Sequence, residues 1–117
     1  MSQLNTKIRY QYRDGANYKT RGEWILRGMV SVNEAEALIR CCQKEGEEAQ
    51  FVPESVGMPS LLETPWDDEI DHPFHTIEKI EMTDEDAQDE RSIKDLISEF
   101  KSKDWEAEAY KIQESMM

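Results

Sequence analysis

The chain has 117 residues, of which 38% are hydrophobic and 34% charged, and its formal net charge is −12. Three Trp, four Tyr and three Phe supply enough large side chains for one core, which excludes wholesale disorder. No apolar run approaches the roughly 20 residues of a membrane span, and the polar N terminus lacks the apolar middle of a secretory signal. We therefore expect a cytoplasmic protein with no membrane partner.

The first thirty residues predict a hairpin. Apolar and polar residues alternate from Leu4 to Arg13, which is typical of a strand with one face on the core and a basic outer face. The turn-forming segment DGANYKT follows, and residues 21–30 alternate again, although Ile25 interrupts the polar face of this second strand. The pattern favours two antiparallel strands joined by a loop longer than two residues.

A helix and a short strand should come next. Ser31 or Asn33 can cap a helix that ends at Gly46, and its stripe of Ala35, Leu38, Ile39 and Cys42 would cover the hairpin. On this stripe Cys42 is expected to pack rather than react. Residues 49–52 are a short strand candidate. All four prolines then lie between residues 53 and 73, which predicts an irregular segment that packs through its apolar residues.

The last third predicts a strand and then helices. Residues 74–82 form a strand, and residues 83–90 (TDEDAQDE) form a solvated acidic loop. Ser92 and Asp95 open a helix, and a second apolar stripe starting at Trp105 is out of phase with the first, so we expect a break at residues 102–104. The result is an α+β fold: a small antiparallel sheet, made of the N-terminal hairpin plus one or two further strands, with one covering helix and a helical C terminus. We divide it into an α+β core domain, residues 1–82, and an acidic loop with a helical extension, residues 83–117.

Charge is unevenly distributed along the chain. Residues 1–30 carry six basic and two acidic side chains, whereas residues 53–117 carry six basic and nineteen acidic ones. The protein can neutralise itself internally, bind a basic partner with its second half, or bind an anion with its first half.

Both histidines lie in the acidic segment DDEIDHPFHTIEKIE, residues 67–81. Asp71, His72 and His75 are the residues that could bind zinc, because His-x-x-His with a nearby carboxylate supplies suitable ligands. Pro73 keeps this segment extended, so the two rings should point to opposite faces. We therefore favour an acidic loop in which Asp71 orients or charges His72, with no metal and no cofactor.

The hairpin tip is the second candidate site. Cationic and aromatic side chains beside a turn can hold a phosphate or carboxylate, and here they are Arg13, Asp14, Asn17, Tyr18 and Lys19. The alternation turns Tyr10 and Tyr12 toward the core, so Tyr18 is the only free stacking residue, and direct nucleic-acid binding is not expected. The chain lacks the catalytic motifs of hydrolases, phosphate loops and dinucleotide-binding folds, which disfavours an enzyme.

Three segments carry a resemblance to a known group: YRDGANYK (residues 12–19), VPESVGMPSL (residues 52–61) and DHPFH (residues 71–75). The chain resembles a group of small bacterial and mobile-element proteins that share these motifs in this order and have no assigned activity. The resemblance covers roughly residues 5–85 and implies a small α+β unit in which the hairpin tip and the His-Pro segment meet. The acidic helical extension departs from the group.

The functional prediction is a small acidic binding protein that acts through protein–protein contacts. Aromatic residues dominate interface energies, and the expected anchors on the C-terminal helices are Phe100, Trp105, Tyr110 and Ile112. The partner would be a nucleic-acid-binding protein or a second copy of the chain, and the carboxylates could act as a nucleic-acid mimic in a mobile-element inhibitor. The alternative is a small-molecule or metal-binding domain whose site forms where YRDGANYK meets DHPFH.

Overall fold

The computed structural model describes residues 4–62, 66–67, 69 and 71–116. Its strands are β1 (Asn5–Arg13), β2 (Lys19–Leu26), β3 (Gln43–Glu45), β4 (Glu48–Phe51) and β5 (His75–Thr83), and its helices are α1 (Val32–Arg40), α2 (Ile93–Lys101), α3 (Trp105–Met116) and a 3₁₀ helix at Pro53–Val56. The strands form one antiparallel sheet in the order β2-β1-β5-β4-β3. The α+β prediction is confirmed, and the sheet has five strands rather than three or four. Among the described residues, no helix is both long and apolar enough to cross a membrane.

One face of the sheet carries the core. Thr6, Ile8, Tyr10 and Tyr12 of β1 are buried, as the alternation predicts. Ile8 lies between Trp24 of β2 and Ile80 of β5, so these three adjacent strands present their apolar positions to the same side. Residues from α1, α2 and the start of α3 complete the same hydrophobic cluster.

Helix α1 begins where predicted and ends earlier. Ser31 caps it, and the Glu34 side chain accepts a hydrogen bond from the Ser31 N–H, which completes a capping box. The predicted end at Gly46 is wrong, because the helix ends at Arg40 and Gly46 lies in the turn between β3 and β4 with φ of 61°. A glycine shortly after a lysine is common both at the end of a helix and in a hairpin turn, so this sequence feature does not distinguish the two. Cys42 packs in the core as expected, and burial raises the pKa of its thiol to about 12.

The proline-rich segment packs, as predicted, but it contains a regular element. Its first residues form the 3₁₀ helix Pro53–Val56, so the expectation of a wholly irregular segment is wrong. Proline fits the first position of a helix, where its missing N–H costs nothing. Val56 and Met58 are buried, and the Tyr10 hydroxyl donates to the Pro59 carbonyl at 2.6 Å.

Strand β2 is shorter than predicted, and residues of the acidic loop bind along its end. The strand ends at Leu26, and residues 88–89 lie beside its last residues: Ile25 O accepts from Gln88 N at 2.9 Å, and Ile25 N donates to Gln88 Oε1 at 3.0 Å. Asp89 O also accepts from Arg27 N at 3.1 Å. The prediction that residues 83–90 are only a solvated loop is therefore wrong. An edge strand leaves backbone groups unpaired, and this loop satisfies some of them.

The C-terminal helices are part of the main core. Ser92 caps α2, and the predicted break is confirmed because α2 ends at Lys101 and α3 begins at Trp105. The buried residues of this region lie in one cluster with Ile8 and Phe51 of the sheet, and they are Ile93, Leu96, Ile97, Phe100, Trp105 and Ala109. The segment set apart as an extension in the sequence thus completes the core of residues 1–82.

Candidate functional site

The hairpin tip and the His-Pro segment meet in the structure. The Tyr12 hydroxyl donates to Asp71 Oδ1 at 2.6 Å, and His72 Nε2 lies 2.7 Å from the Arg13 carbonyl oxygen, to which it donates. The Tyr12 and His72 rings lie 5.2 Å apart. Burial, followed by the hydrogen bond to Asp71, raises the pKa of Tyr12 well above its usual range. The juxtaposition that the resemblance implies is therefore present.

Most polar groups at this junction bind one another. Asp71 Oδ2 accepts from Asp67 N at 2.8 Å, and the His72 N–H donates to the Tyr12 hydroxyl at 3.3 Å. The Asp71 carboxylate therefore orients Tyr12, not His72 as expected from the sequence. The arrangement fastens the His-Pro segment to the end of β1.

His75 is a structural residue of the core. Its Nε2 accepts from Leu61 N at 3.0 Å, and its Nδ1 lies 3.1 Å from the Pro73 carbonyl oxygen. Burial lowers the pKa of His75 to about 4, so the ring is neutral at physiological pH. With Nδ1 donating and Nε2 accepting, neither nitrogen has a free lone pair for a metal.

The metal candidates do not converge on a common point. Asp71 binds Tyr12, His72 binds Arg13, and both ring nitrogens of His75 are in use. The two histidine rings were expected on opposite faces, yet both contact Tyr12, with ring centroids at 5.2 and 5.1 Å. In the part of the chain that the structure describes, no group of three His, Cys, Asp or Glu residues is placed to hold a metal ion.

The five hairpin-tip candidates have different roles. Asp14 Oδ1 accepts from the N–H groups of Ala16 and Tyr18, both at 2.9 Å, and Asn17 adopts φ of 68°, so these two shape the turn. Arg13 donates to Glu48 at 2.8 Å. Tyr18, 77% exposed, and Lys19 project into solvent. The tip is thus a turn shaped by its own hydrogen bonds, from which Tyr18 and Lys19 extend into solvent.

The basic outer face of the sheet is neutralised within the molecule. Lys7 pairs with Glu85 and, at 3.0 Å, with Glu23. Arg9 pairs with Glu81 at 2.8 Å. The acidic partners come from β2, β5 and the loop after β5. The charge distribution in the sequence allowed internal neutralisation, a basic partner or a bound anion. On this face of the sheet the structure shows internal neutralisation.

Helix α3 leaves the core along its length. Trp105 is 6% exposed, and its indole N–H donates to the Cys41 carbonyl at 2.7 Å. Further along the same stripe Ala109 is buried, Ile112 is half-buried and Met116 is 45% exposed, while Tyr110 beside the stripe is 63% exposed. Of the predicted partner contacts, Phe100 and Trp105 are wrong in this fold because the core buries them, whereas Tyr110 and Ile112 remain accessible.

A second surface was not predicted from the sequence. A groove runs between α1 and β5, and its apolar wall is formed by Val32, Ala35, Ile39, Ile80 and Met82. The sequence signal was the width of the α1 stripe, which has more apolar positions than one packing contact requires. The groove depends on the position of β5 beside α1, which the local sequence pattern does not specify.

Comparison with protein-family models, with curated proteins and with solved structures found no match in any of the three. The function of the chain is therefore inferred from its two surfaces and from the junction of the hairpin tip with the His-Pro segment. The motif resemblance to the mobile-element group stays a prediction.

Proposed function

We propose that the protein is a binding protein, and that the exposed end of α3 contacts a protein partner with a basic surface. The observation that carries the proposal is the apolar stripe of α3, which begins in the core at Trp105 and ends in solvent at Met116. A helix that packs along half its stripe leaves the other half for a second molecule. Tyrosine and methionine are enriched in such contacts.

The charge around this helix supports a basic partner. Glu106 and Glu114 are exposed and lie one turn on either side of Tyr110, so they share its face of the helix. Lys7, Arg9 and Arg21 of the sheet are already paired with glutamates, so the surface that a partner meets carries much of the excess of a chain with net charge −12. A nucleic-acid-binding protein presents the complementary surface, and acting as its inhibitor by mimicking nucleic acid is the sharper form of the proposal.

The test compares partner capture by two variants, one changed at the exposed end of α3 and one changed at the hairpin tip. Immobilised wild-type protein is incubated with native lysate, and bound proteins are identified by mass spectrometry beside the variants Tyr110→Ser with Met116→Ser, and Tyr18→Ser alone. Both sets change exposed side chains, so the fold should be retained. We expect a basic protein that wild type and Tyr18→Ser capture and the α3 variant does not, and we expect excess duplex DNA to compete if the mimic form is correct. Equal capture by all three proteins would contradict the proposal.

A second candidate rests on a different observation, the meeting of Tyr12, Asp71 and His72. A small anionic molecule could approach Tyr18 and Lys19 at the nearby tip. Thermal shifts with nucleotides and inorganic phosphate test this candidate, since saturation binding that is lost in Lys19→Ala would favour it over the α3 surface.

A further inference from the structure

Strand β5 has a free edge. It is nine residues long and pairs with β1 from Asn5↔Thr83 to Gln11↔Thr76. On its other side β4 pairs only with His75 and Thr76. In the described residues, no strand pairs with that side of residues 78–83. Unpaired N–H and C=O groups along an edge are a ready template for another strand.

The groove beside this edge has room for another strand. Two adjoining cavities of about 350 and 330 Å³ lie between α1 and β5 and share Ala35, Glu36 and Ile80 in their walls. At the end near the start of α1, Val32 is 75% exposed and Met82 is 49% exposed. An added strand would therefore gain backbone hydrogen bonds from β5 and an apolar contact with α1.

We propose that a second copy of this chain occupies the groove, with the two β5 edges pairing antiparallel about a two-fold axis at Ile80. This contact is isologous, because each copy offers the same patch. The register places Ile80 opposite Ile80, and it places Lys79 of each copy opposite Glu81 of the other. The five-stranded sheet of each copy would continue into that of its partner.

Charge complementarity selects a second copy and this register. Lys79 and Glu81 lie on the outer face of the sheet, where Lys79 pairs with Glu81 at 3.2 Å and Arg9 with Glu81 at 2.8 Å within one chain. Oppositely charged residues that face each other across antiparallel strands stabilise the pair, whereas like charges destabilise it. A two-fold axis one residue further on would set Glu81 against Glu81. The sequence around Ile80 is therefore complementary to itself.

The contact is small, so a reversible dimer is expected. Five or six residues of edge and a groove fall short of the roughly 1,200–2,000 Å² of a standard interface. We expect a dissociation constant on the order of micromolar, at which a dimer gains or loses its partner with protein concentration.

Sedimentation equilibrium on the full chain, from low micromolar to about millimolar concentration, tests the proposal. Two symmetric pairs become like-charged in Lys79→Glu, and we expect its dissociation constant to rise roughly ten-fold. Glu81→Lys should weaken the dimer similarly, while the double variant, which exchanges the charges, should return to near the wild-type value. Lys19→Glu is the matched control, because it changes the net charge equally at the hairpin tip. Val32→Glu, at an exposed position, should weaken the dimer without any change at the strand.

Several results would overturn the proposal. The proposal fails if the protein is a monomer at all concentrations. It also fails if Lys79→Glu and Glu81→Lys raise the dissociation constant no more than Lys19→Glu does, or if the double variant does not recover wild-type affinity. Hydrogen exchange offers a further check on the β5 backbone amides. If these amides become protected only when an unrelated extended peptide is added, the groove binds a foreign strand and the proposal is overturned. Thermal melts confirm that each variant is folded. The inference is independent of the α3 proposal, since Tyr110→Ser should leave the dimer intact.

Discussion

The residue with the clearest consequence for stability is His75. Its ring is buried between the Leu61 N–H and the Pro73 carbonyl, and burial lowers its pKa to about 4 from a usual value of 6.5. Below pH 6.5 the unfolded chain takes up a proton that the folded chain does not, so stability falls as the pH drops from about 6.5 to about 4. The loss attributable to this residue is about 3 kcal/mol.

The prediction is that His75→Gln flattens this pH dependence. Glutamine can accept from Leu61 N but does not titrate, so the free energy of unfolding should change less between pH 7 and pH 5 than in wild type. Urea denaturation at several pH values measures the slope. His72→Gln, which leaves the buried ring in place, is the control, and an unchanged slope in His75→Gln would show that another group governs the loss.

The sequence could predict only part of this site. It shows two histidines among carboxylates, and proximity to carboxylates favours a charged ring. Burial of His75 has the opposite effect, and the ring is buried against Tyr10, Tyr12 and Phe51, which lie more than twenty residues earlier in the chain. The meeting of the hairpin and His-Pro motifs, by contrast, was predictable from the resemblance.

Among the elements, the acidic loop after β5 departs most from expectation. Its sequence of mainly carboxylates indicates a solvated loop, yet the Asp89 carboxylate accepts hydrogen bonds from the Arg91 guanidinium, from the Arg91 backbone N–H at 2.9 Å and from the Trp24 indole at 3.0 Å. These donors outweigh burial, which alone would raise the pKa, and they lower the pKa of Asp89 to about 2. The residues that make the loop a partner for β2 lie more than sixty positions away, so local pattern could not reveal them.

We predict that Asp89→Asn lowers the free energy of unfolding by roughly 1–3 kcal/mol at pH 7, because it removes the charge that these donors bind. Asp86→Asn, an exposed position in the same loop, should change it by less than about 0.5 kcal/mol. The folded pKa lies below the usual value of 3.8, so the stabilisation is complete above about pH 4 and is lost as the pH falls toward 2. Chemical denaturation at pH 7 and pH 3 measures the effect, and equal losses in both variants would contradict it.

At the scale of the whole molecule, α2 and the start of α3 supply a large share of the core. Ile93, Leu96, Phe100 and Trp105 are buried in the same cluster as the sheet, and Phe51 stacks on Phe100 with ring centroids at 5.4 Å. We predict that a chain ending at Glu90 does not fold cooperatively. A chain ending at Tyr110 keeps these contacts and should melt in a single transition.

Circular dichroism melts of the two truncated chains provide the measurement. If the chain ending at Glu90 folded with a sharp transition, residues 1–82 would be an independent domain after all.

The apolar stripes in the sequence located both helices correctly. A stripe does not specify what it packs against, so it could not show whether the helices pack on the core of the same chain. The sequence also shows that basic residues are concentrated in the first part of the chain and acidic residues in the last. It could not show that these charges pair across one sheet, because the pairing depends on the register of β1 and β5.

The strand order has a consequence for how the polypeptide reaches its native state. The inner strand β1 is made first, but one of its two neighbours, the central strand β5, begins seventy residues later at His75. Before β5 is made, a nascent chain can form only local elements such as the β1–β2 hairpin, helix α1 and the short β3–β4 hairpin, and isolated hairpins are marginal in water. Because loop closure between distant segments must precede their contacts, we expect slow folding that begins only after β5 has been translated, with the apolar side of the hairpin open to chaperones until then.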